Sequence, residues 1–212
     1  MTMSFAKRIG IMGGTFDPIH IGHLVAAEEA YQQFNLDKVI FMPAGRPAFK
    51  LDQEVTSAEH RLMMAQLATA SNPHFEVSDL EVQREGVTYT IDTVRILKEK
   101  FPRAELYFIT GADAVFDIIT WKDSAELAHL VTFIATTRPG YDAAEAQRQH
   151  EASLVPFSIH WIEVPALSVS SSDLRARLRE GRSVRYLTAR SVLGYLAKHE
   201  LYSATDGELY DA

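Results

Sequence analysis

Short apolar runs alternate with amphipathic stretches along this chain. Ile9-Gly10-Ile11-Met12 is the first run and reads as a strand. A glycine-rich turn follows. Over residues 20–34, Leu24, Ala27, Tyr31 and Phe34 recur at spacings of three and four, which predicts a helix. Val39-Ile40-Phe41-Met42 reads as a second strand closed by Pro43, and Gly45-Arg46-Pro47 opens a loop that runs past Lys50. Ser57 is placed to cap a helix that extends to about residue 70. Phe75-Glu76-Val77 is a weaker strand, and residues 89–100 read as helix. Further strands are expected at 106–109, 131–135 and 159–164, then helices at about 171–180 and 188–199. The last ten residues are expected to be loose.

Strands alternating with helices predict an α/β fold: a doubly wound, mostly parallel sheet covered on both faces, Rossmann-like, with helices at the C-terminal end. The length of 212 residues suits one domain, with a core over about 7–202. Ligands in such folds sit beyond the carboxyl ends of the strands. That rule selects three loops, those after Met12, Met42 and Ile109.

Composition narrows the chemistry. With no cysteine, disulfides, thiolate metal sites and a Cys nucleophile are excluded, and a cytoplasmic location is expected. No apolar run approaches the ~20 residues of a membrane helix, so no membrane partner is expected. A net charge of −7 argues against nucleic acid as partner. A phosphorylated small molecule is still accessible to an acidic protein that gathers its cations locally.

The N-terminal turn does so. Gly13-Gly14-Thr15-Phe16-Asp17-Pro18-Ile19-His20-Ile21-Gly22-His23 follows a strand and opens a helix. Gly13 and Gly14 let backbone amides approach a phosphate, and a helix N-terminus favours its charge. His20 and His23, three apart, would share one helix face and point into one space. Two donors beside a phosphate suit phosphoryl chemistry. Asp17 is better read as orienting the loop. Taken singly, a Gly-Gly turn is common and two histidines at this spacing can be surface residues. The string is not the G-x-G-x-x-G dinucleotide fingerprint.

The stretch GTFDPIHIGH resembles the signature of the HxGH nucleotidyltransferases, Rossmann-like enzymes that transfer a nucleotidyl group from ATP or CTP. A second stretch, Ser168-Val169-Ser170-Ser171-Ser172-Asp173-Leu174-Arg175, starts a helix with hydroxyls and free N–H groups. Read alone it is more readily an N-cap with a solvated arginine; beside the first motif it resembles the superfamily's ISSTxIR. Gly111-Ala112-Asp113 ends a strand with a carboxylate suited to ribose hydroxyls, or to a helix cap. The resemblance assigns ATP contacts to Gly13, Gly14, Thr15, Phe16, His20, His23, Gly111, Asp113, Ser171, Ser172 and Arg175, and catalysis to His20 and His23.

Three further segments resemble the nicotinate mononucleotide adenylyltransferases. Residues 42–50 resemble MPxxxPPHK, residues 86–93 resemble SYTxDTL, and Gly111 to Lys122 matches GADxxxxxxxWK in order and spacing. Thr137-Arg138-Pro139-Gly140 also fits. Phe49 stands where that family has His, Ala48 and Ala189 where Pro is common, and Thr88 where Ser is usual. Trp121 offers a flat face for a pyridine ring, or is core, and Lys50 could steer a phosphate. The resemblance implies that Thr90 and the backbone near Trp121 and Lys122 receive the nicotinate carboxylate. It implies adenylyl transfer from ATP to nicotinate mononucleotide, yielding the dinucleotide and pyrophosphate. Mg²⁺ would ride on the ATP phosphates, without a protein metal site.

Alternatives in other classes are a nucleotide-binding sensor and a dehydrogenase. Within the superfamily they are a pantetheine-phosphate adenylyltransferase or a cytidylyltransferase, which Trp121 and the TYTIDT segment disfavour. The sequence is compatible with a homo-oligomer and does not select one.

Overall fold

The structure, a computed structural model, describes residues 7–137, 148, 157–165 and 168–202. Arg138 and the final decapeptide lie outside the described residues.

Six parallel strands form one sheet. They are β1 (Arg8–Gly14), β2 (Lys38–Pro43), β4 (Phe75–Val77), β6 (Glu105–Gly111), β7 (Thr132–Thr137) and β8 (Ile159–Glu163). Their spatial order is β4-β2-β1-β6-β7-β8. A separate two-residue ladder pairs β3 (Arg46–Pro47) with β5 (Val87–Thr88). Order reverses between β1 and β6, the two central strands. The cleft beyond their carboxyl ends is therefore the switch point at which ligands bind in such sheets.

The strands are buried on both faces because their side chains alternate between two cores. Met12, Val39, Phe41, Ile109 and Ile134 face one layer, packed by helices α1 (Ile21–Gln33) and α2 (Ala58–Thr69). The C-terminal helices Ser171–Arg179 and Arg190–Lys198 close that same layer. Ile9, Ile11, Ile40, Met42, Phe108 and Phe133 face the other. There α3 (Thr90–Lys100) and α5 (Ser124–Leu130) cover them. Ile9, Ile11, Ile109 and Ile134 have no exposed surface, and each contributes about 1.5–3 kcal/mol by burial.

The elements read from the chain are present, with bounds shifted by a residue or two. Ser57 caps α2 by accepting from the His60 N–H at 3.4 Å. The last described helix starts at Arg190 rather than at residue 188, because Ala189 is still extended. Three short pieces were not expected from the sequence: the β3–β5 ladder, α4 (Ala112–Val115) and α5. None is long enough to show a helical or strand period.

Candidate active site

The first loop is held from below. Phe16 is buried with a φ of 53°, a left-handed backbone that a bulky side chain adopts only where packing enforces it. Its ring lies against Gly14, where a Cβ would stand 2.8 Å from the Phe16 ring. The glycine is thus required by its own loop, whatever it does for a phosphate. Asp17 is 3 % exposed and accepts from the Tyr202 hydroxyl at 2.5 Å. Arg175 donates to the Asp17 carbonyl at 2.6 Å, and the Ser171 hydroxyl donates to the Pro18 carbonyl at 2.9 Å. The two motifs, 150 residues apart in sequence, are therefore joined by direct hydrogen bonds. Ser170 caps its helix by accepting from the Asp173 N–H at 3.1 Å, and Ser172 accepts from Arg175 at 3.3 Å.

The histidines come together, with one correction to the sequence expectation. His20 is not inside the helix: its backbone is extended, and it is the N-cap of α1. Its N–H donates to His23 Nδ1 at 3.1 Å, and the two rings stack with centroids 3.7 Å apart. Because His23 Nδ1 accepts, its proton sits on Nε2, which is left as a donor. Burial pushes His20 down to about 4. Burial, then the neighbouring His20 and Lys50, hold His23 well below the usual imidazole range. His20 Nδ1 is buried with no hydrogen-bond partner among the described residues. Such an orphan is costly unless a ligand meets it.

Two cavities open at the first loop. A cavity of about 360 Å³ is lined by His20, His23, Gly111, Asp113, Thr137 and Ser170, among others. A second cavity, of about 200 Å³, has Gly13, Gly14, Thr15, Glu81, Thr90 and Trp121 in its lining. A further space of about 200 Å³ at its end is walled by Phe49, Tyr89, Thr90, Trp121 and Lys122. The loops after β1, β2 and β6 all contribute, as the strand-end rule requires.

Trp121 is both core and wall. Its ring packs edge-on against Phe108 at 5.8 Å and lies 6.0 Å from Phe49, which is 68 % exposed. Phe49 faces the tryptophan across the cavity mouth. The Lys122 ammonium sits 3.2 Å from Asp92 and over the Tyr89 ring. It therefore supports the wall rather than standing free. The Lys50 amine is held below its ordinary value by burial, then by the positive charge of Arg175, against the opposing pull of Asp17.

Sequence reasoning missed Arg61. It is 1 % exposed and donates to the carbonyls of Thr56, Thr15, Ala44 and Gly45 at 2.6–2.8 Å. One guanidinium thus ties the first loop to the second. The signal was present: Arg61 lies three, four and seven residues before Met64, Ala65 and Ala68, on the apolar face of α2. Glu81, Thr93 and Tyr202 were also missed: Tyr202 meets Asp17 across 185 residues, and Thr93 meets Glu81 across 12.

Comparison with known proteins agrees with this geometry. The cytidylyltransferase-like family model matches residues 11–177. A protein of Leifsonia xyli subsp. xyli, described as a probable nicotinate-nucleotide adenylyltransferase, is 52 % identical over 203 residues, covering 95 % of this chain and 97 % of its own. A Corynebacterium kroppenstedtii protein of the same description is 50 % identical over 195 residues, covering 92 % and 90 %. In fold, the chain is similar to the nicotinic acid mononucleotide adenylyltransferase of Plasmodium falciparum complexed with NaAD. The TM-score is 0.75 at 23 % identity, over 92 % of this chain and 97 % of that one. The chain belongs to the cytidylyltransferase-like family and, within it, to the nicotinate-nucleotide adenylyltransferases.

Proposed function

We infer that this protein transfers the adenylyl group of ATP to nicotinate mononucleotide, forming nicotinate adenine dinucleotide and pyrophosphate in NAD biosynthesis. The observation that carries the reading is one loop, 13–23, with a stacked histidine pair facing one cavity and a second, tryptophan-walled cavity beside it. The first cavity would take the donor nucleotide and the second the acceptor.

The acceptor phosphate is the nucleophile. Its second pKa lies near ~6, so at neutral pH it needs no general base. A phosphate oxygen forms the new bond to the α-phosphorus of ATP. The bond from that phosphorus to the β-phosphate bridging oxygen breaks, and pyrophosphate leaves with the electron pair. The protein contributes position and charge. His23 offers its Nε2–H, and His20 its buried ring, to the α-phosphate and bridging oxygens. The amides of Gly13, Gly14 and Thr15, beside Phe16, cradle the phosphates. Ser171, Ser172, Arg175 and Lys50 stand on the phosphate side, and Gly111 with Asp113 on the nucleoside side. Thr90, Trp121 and Lys122 border the pyridine ring.

Among the described residues no three His, Cys, Asp or Glu side chains gather as a metal cage. Mg²⁺ would enter with the triphosphate, bound by phosphate oxygens and water. When bound it neutralises triphosphate charge.

The test is pyrophosphate release from ATP and Mg²⁺ with nicotinate and nicotinamide mononucleotides in parallel. Release with the nicotinate form, and loss of turnover by orders of magnitude in His20→Ala, are expected. Full activity in His20→Ala would overturn the mechanism; no release with either acceptor would overturn the reaction.

A further inference from the structure

Among the described residues only two carboxylates are buried, Asp17 and Glu81. Asp17 is used by Tyr202 and Arg175 to hold the first loop. Glu81 has no such employment. It is 7 % exposed, and the Thr93 hydroxyl donates to its Oε1 at 2.5 Å. Its Oε2 has neither a hydrogen bond nor an ion pair among the described residues. Arg84, the nearest guanidinium in sequence, is turned to Thr93 and Asp92. Arg61 spends its N–H groups on carbonyls.

Burial pushes the Glu81 carboxyl up to about 7, against the pull of Thr93, Arg84 and Arg61. Charge kept in an unfavourable place clusters where function needs it. The main chain at Glu81 is closely packed. A Cβ at Gly45 would stand 2.2 Å from the Glu81 carbonyl oxygen, so only glycine allows this approach.

Its location defines what it can recognise. Glu81 lines the cavity that joins the 13–15 turn to Trp121. On the proposed function, on which this inference rests, the acceptor's phosphate lies at the first end and its pyridine ring at the second. The part of a mononucleotide between ring and phosphate is the ribose, which carries two vicinal hydroxyls. An ionised carboxylate only accepts hydrogen bonds, and a hydroxyl is the donor that meets it. The remaining polar side chains of this wall, Thr15, Thr88, Thr90 and Thr110, are hydroxyls without charge.

We propose that Glu81 is a specificity-determining residue that accepts a hydrogen bond from a ribose hydroxyl of the pyridine mononucleotide acceptor. Position and chemistry together select the ribose, and the charge makes the contact stronger than a neutral one.

The test compares wild type and Glu81→Gln at pH 8, where the carboxyl is ionised, with nicotinate mononucleotide and its 2′-deoxy and 3′-deoxy forms. The variant retains an amide oxygen for Thr93 and turns an NH₂ toward the cavity. Expected is an acceptor KM about tenfold higher in Glu81→Gln, with kcat and the KM for ATP within about twofold. One deoxy acceptor loses the same factor with wild type and nothing further with the variant. A merely structural carboxyl would cost all three acceptors equally in the variant, and that result overturns the proposal. So does a wild type whose KM is indifferent to both deoxy changes. A wild type inactive with every acceptor would instead refute the adenylyl-transfer reading itself.

Discussion

Glu81→Gln should stabilise the ligand-free protein, and only above acid pH. The carboxyl ionises with a pKa of 4.5 when unfolded and about 7 when folded. A raised carboxyl pKa means that the folded state favours the proton. The associated stability is fully present below pH 4.5 and is lost as pH rises through 7. Above that the cost is constant at about 3 kcal/mol. Glutamine has the shape of the protonated acid, keeps an acceptor for Thr93 and never ionises. The variant and wild type should therefore match near pH 4.5 and diverge to about 3 kcal/mol by pH 8. For a chain of this size that is a melting difference of roughly 6–12 °C. The assay is thermal or urea unfolding of both proteins at half-unit pH steps, read as a difference curve. His20 and every other titrating group are common to both, so they cancel. A flat difference curve, or a variant that is weaker at pH 8, would refute the reasoning. The same substitution is expected to impair acceptor binding, so stability and function oppose each other at this residue.

Other expectations follow from the same contacts. Arg61→Met strips four carbonyls of their donor and should cost about 3–5 kcal/mol in urea unfolding; an unchanged midpoint would contradict the clamp. Tyr202→Phe removes one of the buried Asp17 carboxylate's partners and should cost about 1–3 kcal/mol by the same assay. His20 ionises at about 4 in the free protein, below its ordinary 6.5, so its contribution is present above pH 6.5 and lost as pH falls through 4. ATP should move both imidazoles upward in an NMR titration, and resonances indifferent to ATP would remove the pair from the phosphates. Trp121→Ala should raise the acceptor KM about 5- to 150-fold, as lost ring stacking of ~1–3 kcal/mol implies, with the KM for ATP unchanged; an acceptor KM equal to wild type would show that Trp121 is core alone.

Much of the fold was legible because buried parallel strands are continuous apolar runs. Val39 to Met42 and Leu106 to Ile109 needed no partner to be recognised. Elements of two to seven residues, such as the β3–β5 ladder and α5, carry too little periodicity to be seen. The capping role of His20 was missed for a different reason: the side chain that meets the N-terminus of α1 is another histidine, not Ser, Thr, Asp or Asn.

By itself, then, the sequence determined the α/β alternation, the two layers of apolar side chains and the two separated motifs, since each depends on residues close together in the chain. Only the tertiary structure decided how these motifs meet: Arg175 on the Asp17 carbonyl, Tyr202 on the Asp17 side chain, Arg61 joining two loops, and Glu81 set into the acceptor wall. Contacts across 17 to 185 residues leave no local period or spacing. They exist because the sheet order places β1 beside β6 and brings the C-terminal helices back onto the first loop.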